Sequence, residues 1–159
     1  MISPGAVTPA DVDALLRTLP DWFGIAEENR RYAEAAAHLS NHAALVDDRV
    51  IGVALTRRHT AHAAELVLLA VHPDWHRRGV GRRLVSAAER DVAHGGLRLL
   101  QVKTLGPSDP SPEYAATRAF YTSLGYLELE ETDDLWPGQP CLILVKVLHP
   151  EGGGSPWPP

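Results

Sequence analysis

A chain of 159 residues with 45% hydrophobic and 22% charged residues has the composition of one globular domain. Its net charge of -5 argues against a nucleic-acid-binding protein, because neutralising phosphates needs a basic surface. No apolar run approaches the roughly 20 residues of a membrane span, the N-terminus lacks a signal-peptide pattern, and the lone Cys141 suits a reducing compartment, so we expect a cytoplasmic protein without membrane partners.

The first part of the chain carries two helix patterns and then a strand pair. Thr8 can cap a helix whose first residue is a proline, and no strand is recognisable before it. Strong helix formers predict a second helix over residues 25–39. Residues 43–56 indicate two strands joined by a turn at the Asp-Asp pair that starts at Asp47.

The middle of the chain predicts a strand, a helix and a second strand. Residues 64–71, AELVLLAV, form a nearly unbroken apolar run, which is typical of a central strand covered on both faces. A helix follows, with apolar residues at helical spacing from Val80 to Val92. Residues 97–105 indicate another central strand. Because a helix connects the two strands, we expect them to be parallel.

The last part predicts one more helix and two strands. After the loop GPSDPSP, Ser111 caps a helix that Gly125 ends. Strands are expected at residues 126–132 and 141–148, separated by DDLWPGQP. Residues 150–159 contain too much glycine and proline to pack, so we expect a disordered tail.

The turn HRRGVG, from His76 to Gly81, has the composition of an anion site. Gly79 and Gly81 let the backbone approach a ligand closely, and the first turn of the following helix presents unpaired N–H groups. Leu84 stands where a dinucleotide fingerprint needs its third glycine, and the Gly-Lys-Ser/Thr end of a P-loop is missing. The alternative is an ordinary strand-to-helix turn with solvated arginines.

Two stretches of the sequence resemble signatures of the GNAT family of N-acetyltransferases. LAVHPDWHRRGVGRRLVSAAE resembles the family's acetyl-CoA-binding motif, and TRAFYTSLGYLELE resembles its second signature, in the same order. His76, Tyr114 and Thr117 depart from the residues most common in the family. The resemblance implies a mixed, twisted α/β sheet of about six to seven strands, paired in parallel at its centre and with helices on both faces, in one domain over residues 1–149.

The resemblance also implies that acetyl-CoA is the cosubstrate. Its diphosphate would lie on the amides from Arg77 through Arg82, and its pantetheine arm beside the backbone of residues 69–71, while Arg77, Arg78, Arg82 or Arg83 could lie near the 3′-phosphate. The implied cofactor-binding residues are Leu69, Ala70, Val71, His76, Arg77, Arg78, Gly79, Val80, Gly81, Arg82, Thr117 and Tyr121.

Glu65 is the candidate general base. It is the only charged residue of its predicted strand, and its position matches that of a glutamate that serves as base in several family members. A period of two predicts that it shares a face with Val67, Leu69 and Val71. The alternatives are a glutamate that faces solvent or pairs with an arginine, with water as the base.

Tyr121 is the candidate general acid. It matches the tyrosine of the second signature, which in the family points at the sulfur of coenzyme A. The alternative is core packing, because Thr117, Phe120, Tyr121 and Leu124 also form an apolar helix stripe.

Two functions of different classes remain. One is transfer of an acetyl group from acetyl-CoA to a primary amine of a small molecule or protein by direct attack in a ternary complex. The other is a non-catalytic acyl-CoA sensor or regulatory module. Dimers are common in the family, so a homodimer is an open alternative. No metal is expected, since His72 and His76 straddle Pro73 rather than share a helix face.

Overall fold

A computed structural model describes residues 1–5 and 7–149, so the expected disorder of residues 150–159 lies outside the described part. Seven strands form one sheet in the order β1-β2-β3-β4-β5-β7-β6. The strands are β1 (Ile2–Pro4), β2 (Ser40–Val46), β3 (Arg49–Arg58), β4 (Ala63–Val71), β5 (Leu99–Leu105), β6 (Leu127–Trp136) and β7 (Gln139–Val147). The helices are α1 (Pro9–Leu16), α2 (Ala26–Ala35), α3 (Val80–His94) and α4 (Pro112–Ser123).

The helices cover both faces of the sheet, as the sequence predicts. Buried side chains of α1 and α2 pack with Leu68 and Ala70 of β4 in one core. Those of α3 and α4 pack with Leu66 of β4 and Leu100 of β5 in the other. β4 and β5 are parallel and all other neighbouring strands are antiparallel, so the predicted mixed α/β fold is confirmed. No helix among the described residues is long and apolar enough to cross a membrane.

The two parallel strands separate partway along their length. Residues 63–66 of β4 pair with residues 99–102 of β5, but β4 runs on to Val71 and β5 to Leu105 without further pairing between them. We call the gap between these strand ends the split. It lies at the carboxyl ends of parallel strands, where α/β sheets usually bind their ligands.

A bulge in β4 changes which face Glu65 occupies. Leu55 of β3 pairs with Leu68, but the next residue, Thr56, pairs with Leu66, so Val67 is the extra residue of the bulge. The prediction that Glu65 shares a face with Leu69 and Val71 is therefore wrong. An extra residue shifts the alternation by one, and the Glu65 side chain lies on the α1/α2 face with Leu68 and Ala70.

Other element boundaries differ modestly from the predictions. A first strand, β1, does precede Thr8, but it is too short to show a pattern in the sequence. α2 ends at Ala35 rather than near residue 39. The segment DDLWPGQP is not a separating loop, because β6 and β7 extend into it and leave only a tight turn at Gly138. As an edge strand, β6 is exposed along nearly its whole length, so it carries little of the hydrophobic pattern that predicts a strand.

The predicted turn between β2 and β3 is confirmed. Asp47 and Asp48 both adopt left-handed backbone conformations, with φ of 47° and 61°. Two successive left-handed residues are characteristic of the type I′ turn, whose twist matches that of an antiparallel hairpin.

α3 is held on the sheet by a contact that only glycine permits. A Cβ atom on Gly52 of β3 would lie 2.9 Å from Cδ1 of Leu84 and 3.2 Å from the carbonyl oxygen of Ala70. Leu84 is fully buried against this bare strip of backbone. The contact therefore fixes how closely α3, and with it the glycine turn at its start, approaches β4.

Replacing both residues of this contact tests it. Gly52→Ala should cost about 1 to 3 kcal/mol of unfolding free energy through overpacking, and Leu84→Ala about 2 to 5 kcal/mol through the cavity it leaves. In the double variant the new methyl group fills part of that cavity, so the combined loss should be smaller than the sum by about 1 kcal/mol. Urea unfolding measures all three, and losses that simply add would show that the two side chains do not meet.

Candidate active site

The turn between β4 and α3 exposes backbone N–H groups, as expected for an anion site. Gly79 caps α3 in a left-handed conformation, with φ of 76°, and Arg77 is also left-handed, with φ of 59°. The first helical hydrogen bond of α3 runs from the Arg83 N–H to the Gly79 carbonyl oxygen, at 3.1 Å. The N–H groups of the preceding helical residues have no partner within the helix, so they can donate hydrogen bonds to an anion.

Gly81 lines this cradle together with an aromatic ring. A Cβ atom on Gly81 would lie 3.3 Å from Cζ of Phe120 and 3.8 Å from Cγ2 of Val71. A larger side chain would fill the space beside the exposed amides. Val80, the residue between the two glycines, instead turns its side chain into the core.

Exposed arginines surround the turn and make it electropositive. The side chains of Arg77, Arg82 and Arg83 are exposed. The guanidinium of Arg78 lies 5.2 Å from the ring centroid of Trp75, close enough for a cation–π contact. The predicted cationic residues therefore gather at one end of α3.

Of the three predicted residues 69–71, two point their backbone N–H and C=O groups from the edge of β4 into the split. The His72 N–H donates to the Ile51 carbonyl of β3 at 2.8 Å, so His72 and Ala70 point their backbone groups at β3. Leu69 and Val71 point theirs into the split, where no described strand pairs with them. Ala70 is thus not brought to the split through its backbone.

His76 occupies part of this edge. Its Nε2 lies 2.7 Å from the Val71 carbonyl oxygen, and its ring meets that of Trp22 edge to face, with centroids 5.6 Å apart. The Tyr114 hydroxyl donates to the Trp22 carbonyl at 2.8 Å. The loop between α1 and α2 is thereby joined to α4 and to the glycine turn beside the split.

Glu65 lies in a buried charge cluster that sequence reasoning did not predict. Its Oε2 is 2.6 Å from Nε2 of His59 and 3.3 Å from Nζ of Lys103, and its side chain is only 11% exposed. We call these three residues the Glu65 cluster. The pairing of the β3–β4 hairpin brings His59 back to Glu65, and Lys103 arrives from the neighbouring parallel strand.

Two further titratable side chains face the Glu65 cluster. Burial, together with the charges of Glu28 and Glu65, raises the pKa of the Tyr32 phenol on α2. Burial also raises the pKa of the Cys141 thiol on β7, where Lys103 acts in the opposite direction. Both groups therefore keep their protons near neutral pH.

Tyr121 is buried in the α3/α4 core, beside the glycine turn. Its ring centroid lies 5.2 Å from that of Phe120 and 5.5 Å from that of Tyr126. Burial raises the pKa of its phenol, so the hydroxyl stays protonated at physiological pH. Thr117 lies one turn earlier on α4, and its hydroxyl donates to the Glu113 carbonyl at 3.1 Å.

Metal-binding groups are not apparent in this region. Within residues 1–5 and 7–149, no three His, Cys, Asp or Glu side chains are arranged to share an ion. The histidines here make other contacts, since the His76 ring bonds a backbone carbonyl and the His59 ring bonds a carboxylate.

The split in the sheet lies beside the start of α3, where Gly79 and Gly81 leave the backbone N–H groups accessible. This arrangement is typical of ligand-binding α/β proteins. Comparison with known proteins identifies the family. The model of the acetyltransferase (GNAT) domain matches residues 23–128. The chain therefore belongs to the GNAT acetyltransferase family. A search among proteins of curated function gives no significant match.

Solved structures share the fold at low sequence identity. A protein described as a GNAT-family acetyltransferase from Desulfovibrio desulfuricans has a TM-score of 0.81 at 22% identity, with 92% of this chain and 98% of that one covered. The ribosomal-protein-S18-alanine N-acetyltransferase from Escherichia coli gives 0.73 at 19%, with 99% of each chain covered. An aminoglycoside 6′-N-acetyltransferase complexed with coenzyme A gives 0.71 at 20%, with 91% and 93% covered.

The bare backbone at Gly81 generates a direct binding test. Gly81→Glu should make coenzyme A binding too weak to detect by calorimetry, because the new carboxylate would fill the cradle and repel the diphosphate. Ala119→Glu adds the same charge on the exposed side of α4 and should bind normally. Unfolding in urea checks that both variants fold. Unchanged affinity in Gly81→Glu would show that the amides of this turn do not hold the diphosphate.

Proposed function

We propose that the protein transfers an acetyl group from acetyl-CoA to a primary amine, by direct attack within a ternary complex. The observation that carries this proposal is the juxtaposition of the split, the glycine turn at one end of it and the Glu65 cluster on the α1/α2 side. A buried carboxylate at this place could accept the proton that an attacking amine must lose. Membership of the GNAT family supports the same reaction.

The chain's own groups fit acetyl-CoA. The amides from Arg77 through Arg82 would hold the diphosphate, with exposed arginines near the 3′-phosphate. The edge of β4 at Leu69 and Val71 would pair with the amide groups of the pantetheine arm as a neighbouring strand does. An N–H of this edge would also donate to the thioester oxygen, on which negative charge develops during attack.

The amine must lose its proton before it can attack. Deprotonating an alkyl ammonium of pKa near 10.4 at pH 7 costs roughly 4 to 5 kcal/mol, at about 1.36 per pH unit, so a base contributes substantially. We assign the role of base to Glu65, whose side chain lies on the α1/α2 side of the sheet. An acceptor amine would enter there, past the loop that carries Trp22.

Tyr121 is proposed as the acid that protonates the departing thiolate. Its raised pKa keeps the phenol in the donor form, and it lies in the same helix as Phe120, whose ring lies 3.3 Å from where a Cβ atom on Gly81 would be. The thiolate of coenzyme A, with a pKa near 8.5, is a tolerable leaving group, so this step gives the smaller share of the rate.

The acceptor class remains broad within this proposal. Among the structural neighbours, one acts on an aminoglycoside and another on an alanine of a ribosomal protein. Either a small molecule or a protein amine is therefore compatible with the fold.

The burial of Tyr121 favours one competing function. A tyrosine held wholly in the core is also what a non-catalytic acyl-CoA sensor would have, because such a module needs the cradle and no proton donor. The two functions differ in turnover, which an amine panel measures.

Thiol release from acetyl-CoA with a panel of primary amines distinguishes the two functions. We expect turnover with at least one amine, and a fall in kcat of about tenfold or more in Tyr121→Phe. The matched control is Tyr126→Phe, which removes a second buried hydroxyl from the neighbouring ring. Tight binding of coenzyme A without turnover on any amine would establish the sensor, and equal effects of the two substitutions would remove Tyr121 from the mechanism.

The pH dependence of Glu65→Gln tests the base. The substitution should lower the rate most at neutral pH and progressively less at high pH, where the free amine is abundant without a base. Initial rates across this pH range measure the effect. A loss of the same factor at every pH would mean that Glu65 positions groups rather than accepting a proton.

A further inference from the structure

The Glu65 cluster contains a carboxylate that can accept a proton but has little contact with water. The Glu65 side chain is 11% exposed, and its Oε2 contacts both Nε2 of His59 at 2.6 Å and Nζ of Lys103 at 3.3 Å. The adjacent ammonium stabilises the negative charge of the carboxylate. A proton that Glu65 takes from a substrate must therefore leave again, and it needs a route to solvent.

His59 is the only group of the cluster with the chemistry and the exposure for that route. Lys103 already carries its full complement of protons as an ammonium, and the raised pKa values of Tyr32 and Cys141 keep these side chains protonated as well. An imidazole both accepts and releases a proton near neutral pH. The His59 side chain is 36% exposed, more than three times the exposure of Glu65.

We propose that His59 carries the substrate proton from Glu65 to solvent. The inference rests on the proposed acetyl transfer and adds a residue that acts on the base rather than on the substrate. His59 would act through Glu65 and would not itself touch the reacting atoms.

The proton transfer balances without any further reagent. Glu65 takes one proton from the attacking amine and becomes the neutral acid. While the carboxylate is ionised, the 2.6 Å contact holds a hydrogen on Nε2 of His59, which donates to Oε2 of Glu65. Exchange of the ring protons with water gives the tautomer with hydrogen on Nδ1, and Nε2 then accepts the proton from the neutral acid, which restores the carboxylate. The resulting imidazolium gives its Nδ1 proton to water, which returns the tautomer that donates to Glu65.

The test is chemical rescue of a truncated histidine. In dilute buffer His59→Ala should lower kcat by about tenfold or more with little change in the KM for the amine, because only proton release is slowed. Imidazole should restore the rate with saturation, since it can occupy the vacated space and perform the same transfer. The control is His62→Ala, which removes an exposed histidine of the same turn and should leave kcat unchanged.

Two outcomes would overturn the relay. One is a normal kcat for His59→Ala in dilute buffer. The other is a loss that neither imidazole nor concentrated buffer restores, which would indicate a structural role.

A measurement without turnover separates the relay from the proposed function. In NMR spectra of the intact protein, the ring nitrogen signals of His59 should change in Glu65→Gln, whereas those of His62 should not. Unchanged His59 signals would refute the relay alone. If the His59 signals change but no amine is acetylated, the proposed function fails. The relay then also fails, because no substrate proton is released for His59 to carry.

Discussion

The separation of β4 from β5 is the constraint on which the rest of the site depends. Backbone groups in the middle of a sheet are normally paired, and leaving them unpaired in a buried place is costly. Here residues 63–66 keep the pairing with β5, while Leu69 and Val71 present their backbone groups to a gap, where the Val71 carbonyl is bonded by the His76 ring. The bulge at Val67 lies where the two strands part, which is consistent with a bulge ending regular pairing. In the proposed complex, the pantetheine arm would lie beside β4 and pair with these groups.

The same bulge explains why the Glu65 cluster exists on its side of the sheet. With regular alternation, Glu65 would point to the same face as Leu69 and Val71, into the core beneath α3. The extra residue places it on the α1/α2 face, where His59 and Lys103 satisfy its charge. A buried carboxylate is tolerable only with such partners, because an unpaired one would be neutralised or destabilising. Local backbone geometry therefore decides which face of the sheet carries this carboxylate.

The sequence predicts features that depend on a few neighbouring residues, such as turns and helix caps. It does not predict features that depend on how distant strands pair. Gly79, the cap at Ser111 and the Asp-Asp turn each go with a particular local backbone conformation, so their elements were predictable. The face of Glu65 was not, because a single bulged residue leaves no mark in an apolar run. His59 and Lys103 lie far apart in the sequence, and only the register of β3, β4 and β5 brings them together. Sequence similarity to the family supplied the expected cofactor and roles, but not these contacts.

The most direct measurement is a crystal structure of the protein soaked or grown with acetyl-CoA. The account predicts the diphosphate on the amides at the start of α3, the pantetheine arm hydrogen-bonded to Leu69 and Val71, and the thioester on the side of the split that leads to Glu65. A ligand bound elsewhere, or strands β4 and β5 closed against each other with the cofactor absent from between them, would contradict it.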